Sequence, residues 1–296
     1  MKKPIFLIIT LFTMITCNAI DNPFFTDYKT PFGIPPFEQI KNEHYMPAFK
    51  EGIRLHNEEI NAIVNNKQKP TFSNTIEALD KSGSLLRKVN LVFFSLTENE
   101  TNDALNKIAE EISPILAEHD DNIYLNEGLY KRVKVIFSQK DNLKLTGEQK
   151  RLLSEINKKF VRAGAALDAK GKEKLREINK QLSVFTLKFG DNVLKETNSF
   201  KLVIDKKDDL AGLPDAVVDA AAETAKEQGL EGKWVFTIQK PSLIPFLQYS
   251  QKRDLREKMF KAYINKGDND NLNDNKEIIK KLVSLRTQKA NLHKKK

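Results

Sequence analysis

Apolar residues recur at three- and four-residue spacing along most of the chain, the period of helices that bury one face. Asn42 to Asn65 carries Tyr45, Phe49, Ile53, Ile60 and Val64 in this register, with Pro47 acceptable only in a first turn. Asn74-Thr75-Ile76-Glu77 has the form of a capping box, opening a helix through Leu79, Leu85, Leu86, Val89 and Phe93 with Ser82-Gly83-Ser84 in its interior. Asn102 to His119 follows with Leu105, Ile108, Ile112, Ile115 and Leu116, and Pro114 predicts a kink or break there. Asn126 to Ser138 is a shorter amphipathic stretch. Thr146-Gly147-Glu148-Gln149 is a second capping box, ahead of Leu152, Leu153, Ile156, Phe160 and Ala163. Residues 171–196 continue the pattern with Leu175, Ile178, Leu182, Phe185 and Phe189. Two β-rich runs, Phe200 to Ile204 and Trp234 to Ile238, flank an Ala-rich helix that starts with Pro214 at its first position and ends near Gln228. Leu255 to Ile264 and Asn275 to Leu292 close the chain as helices.

The predicted fold is mainly α, a multi-helix bundle with a small β-α-β insertion rather than a large sheet. No repeat at a period of about 20–50 residues supports a solenoid. The pattern divides the chain into a leader over 1–19, an extended Pro-rich lead over 20–41 and a helical bundle over 42–198. The β-α-β insertion follows over 199–240, then C-terminal helices over 241–292 and a basic tail over 293–296.

In the leader, Lys2 and Lys3 precede an apolar run from Ile5 to Ile15, broken only by Thr10 and Thr13. That arrangement fits a secretory signal peptide and is too short for a comfortable membrane span. Two processing readings stay open. Met14-Ile15-Thr16-Cys17 resembles a loose lipoprotein signal that would make Cys17 the lipid-bearing residue, whereas Cys17-Asn18-Ala19 resembles an ordinary small-x-small cleavage site. Cys17 is the single cysteine, so neither an intramolecular disulfide nor a thiolate metal site is available. The expectation is export, to a periplasm or as a membrane-anchored lipoprotein of a bacterial envelope, with membrane contact only through that signal or lipid.

The 296 residues carry 49 basic and 40 acidic side chains, a formal charge of +9. Only nine of the basic residues are Arg, the side chain that recognises bases and phosphates bidentately, so no nucleic-acid partner is expected. Lys2, Lys3 and Lys294 to Lys296 lie at the two ends; without them 44 basic residues face 40 acidic ones, an ordinary surface.

Candidate chemistry is sparse. The four histidines are His44, His56, His119 and His293, and none lies in H-E-x-x-H, the spacing that sets two imidazoles on one helix face. His44 and His56 are twelve residues apart, too far along a helix to share one metal. His119-Asp120-Asp121 could in principle supply metal ligands but reads first as a polar helix end in water, and Glu58-Glu59, Glu110-Glu111 and Asp120-Asp121 read as solvated faces, because adjacent helical positions do not share a face. No phosphate-binding Gly motif and no G-x-S-x-G occurs. The 18 Phe fall mostly on apolar stripes and read as core. The residues themselves offer no catalytic or metal-ligating constellation.

A resemblance adds what spacing does not. Asn22-Pro23-Phe24-Phe25, Pro36-Phe37-Glu38-Gln39-Ile40 and His44-Tyr45-Met46-Pro47-Ala48-Phe49 resemble the start of the thimet oligopeptidase family of zinc peptidases. They are most similar to its bacterial peptidyl-dipeptidase and oligopeptidase A branches. Asn74-Thr75-Ile76-Glu77-Ala78-Leu79, Phe160-Val161-Arg162-Ala163-Gly164-Ala165, Leu210-Ala211-Gly212-Leu213-Pro214 and Trp234-Val235-Phe236-Thr237-Ile238 follow in family order. The most distinctive block runs from Pro241-Ser242 through Pro245-Phe246-Leu247 and Arg253 to Leu255-Arg256-Glu257-Lys258.

The resemblance implies the N-terminal lobe of a two-lobed, mostly helical channel peptidase acting on short peptides. In the family, zinc is held by H-E-x-x-H and a downstream Glu in the second half; no position here matches those ligands, so this chain is expected to bind no zinc and to be inactive alone. A C-terminal catalytic half is the expected partner. After Leu292 the pattern departs into His293-Lys294-Lys295-Lys296, which predicts a frameshift, premature stop or deliberate fragment. The competing reading is a non-enzymatic surface lipoprotein that binds peptides or complements another subunit.

Overall fold

Aromatic side chains at helical spacing organise the first part of the chain. In a computed structural model, which describes residues 21–294, the described residues fall into two units. The leader with Cys17, together with Lys295 and Lys296, lies outside the described residues. The first unit includes the lead, the beginning of α1 (Asn42–Val64) as far as Glu59, and α3 (Ser84–Asn99). Asn22 caps a single turn over Pro23–Phe25 by accepting the Phe24 N–H at 3.1 Å, which drops Phe24 onto Tyr45. Tyr45 and Phe49, four apart on α1, both meet Phe93 of α3 edge-on, with ring centroids 4.9 and 5.3 Å apart. All four rings are buried, and such pairs contribute about 0.5–1.5 kcal/mol each beyond the area they hide. Gly52 lets the two helices close, since a Cβ there would stand 2.9 Å from the Leu86 Cα.

Two expectations for this unit change. Pro47 sits in the body of α1, beyond its first turn, and buried Tyr45, Ala48 and Phe49 on either side hold the helix through the missing N–H. Ser82-Gly83-Ser84 is a break rather than helix interior. Gly83 is left-handed at φ +69° and α3 starts at Ser84, because the Gly83 N–H donates to the Glu59 carboxylate at 2.7 Å instead of to the preceding turn.

The second unit starts at Ile60. Here a π-helical turn, Phe72–Glu77, leads into α2 (Ala78–Lys81). Its cap is Thr71, not Asn74: the Asn74 N–H donates to Thr71 Oγ1 at 3.1 Å, and the Thr71 N–H donates to Asn74 Oδ1 at 2.9 Å. Asn74 is drawn inward because its Oδ1 also accepts from Arg132 Nη2 at 3.0 Å. The expected Asn74–Glu77 box is therefore displaced by three residues. The helix α4 (Asp103–Tyr124) runs as one element through Pro114, with Ile112 and Ile123 buried on either side, and not as two pieces. Asn126 caps α5 (Glu127–Ser138) through the Leu129 N–H at 2.9 Å. The Thr146–Gln149 box opens α6 (Gly147–Ala163) as its spacing predicts. Leu129, Val133, Leu153 and Phe160 form one core with Ile76.

The 31-residue α7 (Ala169–Ser199) packs along α11 (Lys276–Lys294). Between them in sequence, β1 (Leu202–Ile204) pairs antiparallel with β2 (Trp234–Phe236), Val203 opposite Val235. Their connection carries α8 (Asp215–Glu227), for which Pro214 is the cap, in extended conformation at ψ 147°, and not the first helical residue. The ribbon, α8, α9 (Lys240–Tyr249) and α10 (Arg253–Ile264) bury Phe236, Phe246 and Met259 in a further core. The described residues are mainly α with this one small ribbon, as the periodicities predict. Among the described residues no helix is long and apolar enough to cross a membrane.

Candidate functional site

The four histidines fall at separate positions along the chain. The His44 ring stands at the entry to α1, where Nδ1 accepts the Lys41 N–H at 3.0 Å and the His44 carbonyl accepts Asn22 Nδ2 at 2.8 Å, tying the lead to the helix. His56 Nε2 lies 3.0 Å from Ser82 Oγ, and its ring lies against Gly83, where a Cβ would come within 2.7 Å of Nδ1. His119 is not at a wet helix end. It lies inside α4, 4% exposed, and burial pushes its imidazole below the usual range against the pull of Asp120. His293 lies in the last turn of α11, its ring 3.4 Å from a Cβ built at Gly164. Two of these residues belong to the first unit and two to the second. Among the described residues no group of three or more His, Cys, Asp or Glu side chains could hold a metal ion. Zinc in a hydrolytic site needs three protein ligands on one centre, so the described residues do not fit it.

Two carboxylates are buried: Asp121, expected to be solvated, and Glu196. Asp121 faces α7, where its Oδ1 accepts Asn179 Nδ2 at 2.7 Å; Asn179 Oδ1 in turn accepts Lys289 Nζ of α11 at 2.7 Å. Burial raises the Asp121 carboxyl above the usual carboxylate range, in spite of the Asn179 bond and the charges of Arg176 and Lys289. Asp120, its neighbour, points to water, so the adjacent-pair rule holds and only the solvated-face expectation for Asp121 fails.

Glu196, in the last turn of α7, organises the loop before α11. Asn269, Asn271 and Asn273 all donate their side-chain amides to its carboxylate. The intervening acids face the other way, with Lys276 Nζ 2.8 Å from Asp268, 2.6 Å from Asp270 and 3.1 Å from Asp274. Bonds from these three carboxylates raise the Lys276 ammonium well above its usual range. The alternation Asp268-Asn269-Asp270-Asn271 is visible in the sequence as a period of two, and it was the one signal that could have marked this element.

One recess lies wholly in the first unit. It is an open groove of about 1230 Å³ between one face of α1, one face of α3 and the segment Phe24–Tyr28. Phe25, Leu55, Leu85 and Leu91 supply its apolar wall. Lys88 also lines it, its Nζ donating to the Thr26 carbonyl at 2.6 Å and lying 4.0 Å above the Tyr28 ring.

The chain is mainly helical over its described residues. Its homologues are the dipeptidyl carboxypeptidases and oligopeptidases A of the thimet oligopeptidase family. The chain is 39% identical to the dipeptidyl carboxypeptidase of Escherichia coli (strain K12) over 271 residues, 92% of this chain and 40% of that protein. It is 29% identical to an organellar oligopeptidase A of Arabidopsis thaliana over 277 residues, 92% of this chain and 34% of that protein. With the oligopeptidase A of Haemophilus influenzae (strain ATCC 51907 / DSM 11121 / KW20 / Rd) the identity is 27% over 264 residues, 88% of this chain and 38% of that protein. The chain thus spans about 40% of the length of the first of these curated relatives. No protein-family model matches it.

Proposed function

We propose that this chain supplies the N-terminal, non-catalytic helical part of an exported zinc-dependent oligopeptidase or peptidyl-dipeptidase that cleaves short peptides. The observation that carries this reading is the alignment of 92% of the chain, at 39% identity, with 40% of a dipeptidyl carboxypeptidase. The absence of H-E-x-x-H from the 296 residues supports the second part, that these residues hydrolyse nothing alone. A catalytic zinc polarises the scissile carbonyl and lowers the pKa of its water. In this reading its ligands belong to a C-terminal catalytic half. The helices contribute walls that hold short peptides.

The test is hydrolysis of an N-blocked tetrapeptide by the chain, with and without added zinc. No zinc-dependent release of a C-terminal dipeptide is expected from the chain alone. Release should return when a separately expressed segment carrying H-E-x-x-H from the Escherichia coli relative is added. Zinc-dependent release by the chain alone would refute the non-catalytic reading, and failure of every catalytic segment to restore it would favour a free-standing module. Export is tested by fractionation of cells expressing the whole chain, and lipidation by palmitate labelling that Cys17→Ser should abolish.

A further inference from the structure

The charge of this chain is unevenly placed. Residues 1–126 carry 12 basic and 17 acidic side chains, whereas residues 127–163, the hairpin of α5 and α6, carry ten basic and four acidic. That hairpin lies wholly in the second unit. Tyr130 of α5 stacks on Phe160 of α6 with ring centroids 5.7 Å apart, and both helices bury their apolar faces in the same core. Their outer faces therefore hold the charge, apart from buried Arg132. On α5, Lys131 and Lys134 are exposed three residues apart. On α6, Arg151, Lys158 and Arg162 recur at steps of seven and four and so share one face.

Five of the ten cations lack a counter-charge: Lys131, Lys134, Lys144, Lys150 and Arg162 enter none of the ion pairs between the described residues. Two of the four acids are engaged. Lys172 of α7 holds Glu127 at 3.2 Å, and Arg151 and Lys158 share Glu155 at 2.9 and 3.5 Å. The other two, Asp141 and Glu148, lie at the loop end of the hairpin.

A recess of about 460 Å³ lies along α6, lined by Glu155, Ile156, Lys158, Lys159, Arg162 and Ala163. Three cations thus surround it against one carboxylate. Lys159 Nζ donates to Tyr124 Oη at 2.7 Å, a neutral partner that fixes the ammonium without cancelling its charge. The volume falls within the roughly 300–1,000 Å³ of small-ligand sites, room enough for a phosphate headgroup. Val135 and Val161, 43% and 47% exposed, adjoin Lys134 and Arg162 in the chain and offer apolar contact beside the charges.

Composition separates the possible anions. Among the exposed cations of the hairpin only Arg151 and Arg162 are Arg, and Arg151 is paired, so bidentate reading of a nucleic acid is poorly served. Tyr124 and Tyr130 both turn their rings onto Phe160 and offer bases no outward platform for stacking. Lysines interspersed with valines suit the headgroup layer of an anionic bilayer, where ammonium groups meet phosphates and alkyl stems lie along apolar surface. The leader, with Lys2 and Lys3 before the apolar run Ile5 to Ile15, adds a second argument for a membrane. A single acyl chain binds a bilayer only marginally, and a basic surface is the second signal that stable attachment needs.

We propose that the outer face of the α5–α6 hairpin is a docking surface for anionic phospholipid membranes, with a headgroup phosphate in the recess between Lys158, Lys159 and Arg162 and the lysines of α5 on neighbouring headgroups. The surface stands on the charge and geometry of this hairpin and needs neither zinc nor a catalytic half, so it and the peptidase reading fail separately.

The experiment is co-sedimentation of the full chain with vesicles of phosphatidylcholine alone, or of phosphatidylcholine and phosphatidylglycerol in equal parts, at low and high salt. The leader is the same in every variant, so differences between variants report on the hairpin. The chain should favour the anionic vesicles by about tenfold or more and lose that preference as salt rises. Lys134→Glu with Arg162→Glu should lower partitioning onto them by about tenfold or more, and Lys206→Glu with Lys207→Glu, the same charge change after β1, by much less. All four residues are exposed, so far-UV circular dichroism should be unchanged; if Arg162→Glu loses helix, Lys131→Glu replaces it. Equal sedimentation with both vesicles, or an equal effect of the two double variants, overturns the proposal. So does duplex DNA that binds the chain more tightly than the anionic vesicles at equal phosphate concentration and is lost with the Lys134→Glu and Arg162→Glu pair, because the occupant is then a nucleic acid.

Discussion

Replacing Glu196 by Gln tests whether one carboxylate holds the loop that starts α11. Glu196 is 8% exposed; its Oε1 accepts Asn271 Nδ2 at 2.7 Å and Asn273 Nδ2 at 3.4 Å, and Oε2 accepts Asn269 Nδ2. Gln has the same shape but turns one acceptor oxygen into an amide donor, so a donor meets a donor. At least one charge-assisted bond is lost, and such bonds contribute about 1.5–3 kcal/mol. Asn269 and Asn271 are on the exposed side of the loop, where water replaces part of that, so the lower end, about 1.5 kcal/mol, applies. Hydrogen exchange of the amides over 265–280 should then be faster by about tenfold, with exchange over α5 and α6 unchanged.

The pH dependence has a definite sign. Burial pushes the Glu196 carboxyl up, and the amides of Asn271, Asn269 and Asn273 with the backbone of Gly267 more than offset it, so it titrates below its ordinary value of 4.5. A carboxyl depressed in the folded state stabilises fully above that ordinary value, and the contribution is lost as pH falls through the lower folded value. The difference between wild type and Glu196→Gln should accordingly shrink on acidification below pH 4.5. Unchanged exchange over 265–280 in the variant at neutral pH would show that the loop is held by Lys276 and its acids instead.

Arg132 is 8% exposed and donates to the Asn66 carbonyl at 2.8 Å, Asn74 Oδ1 at 3.0 Å and Thr75 Oγ1 at 3.2 Å. Arg132→Ala leaves these acceptors unmatched and should lower stability by about 3 kcal/mol in urea unfolding; a loss below about 1 kcal/mol contradicts the role given to Asn74. Gly83→Ala meets both a left-handed backbone and the His56 ring at 2.7 Å and should destabilise by about 1–3 kcal/mol, whereas Gly147→Ala, with open space around it, should change little. Asp121 has the opposite linkage to Glu196: its carboxyl is raised above the ordinary 3.8, so its ionisation weakens the fold as pH rises through that range. Asp121→Asn keeps an acceptor for Asn179 and should hold or raise the thermal midpoint at pH 7, with the gain vanishing in acid. A lower midpoint at pH 7 would mean that Arg176 and Lys289 outweigh burial.

Short-range order was legible without coordinates. Helical periodicity depends on neighbours three and four residues apart, and a cap such as Thr146–Gln149 or Asn126 on Leu129 closes within one turn, so both are written in local sequence. The two β-rich runs, Phe200–Ile204 and Trp234–Ile238, were legible for the same reason. The lack of any H-E-x-x-H spacing among the four histidines likewise needs only the residue order. What only the tertiary structure decided is which polar group meets which across long separations. Asn74 serves Thr71 instead of capping a helix because Arg132, 58 residues on, claims its oxygen. Asp121 is buried because α7 covers it through Asn179. Glu196 collects amides 73 to 77 residues away, a pairing that no local pattern around it specifies. The groove between α1 and α3 arises only when the two helices close over Gly52. Local pattern determines which face of each helix is apolar; the packing of those faces determines which charges are left dry, paired or open to a partner.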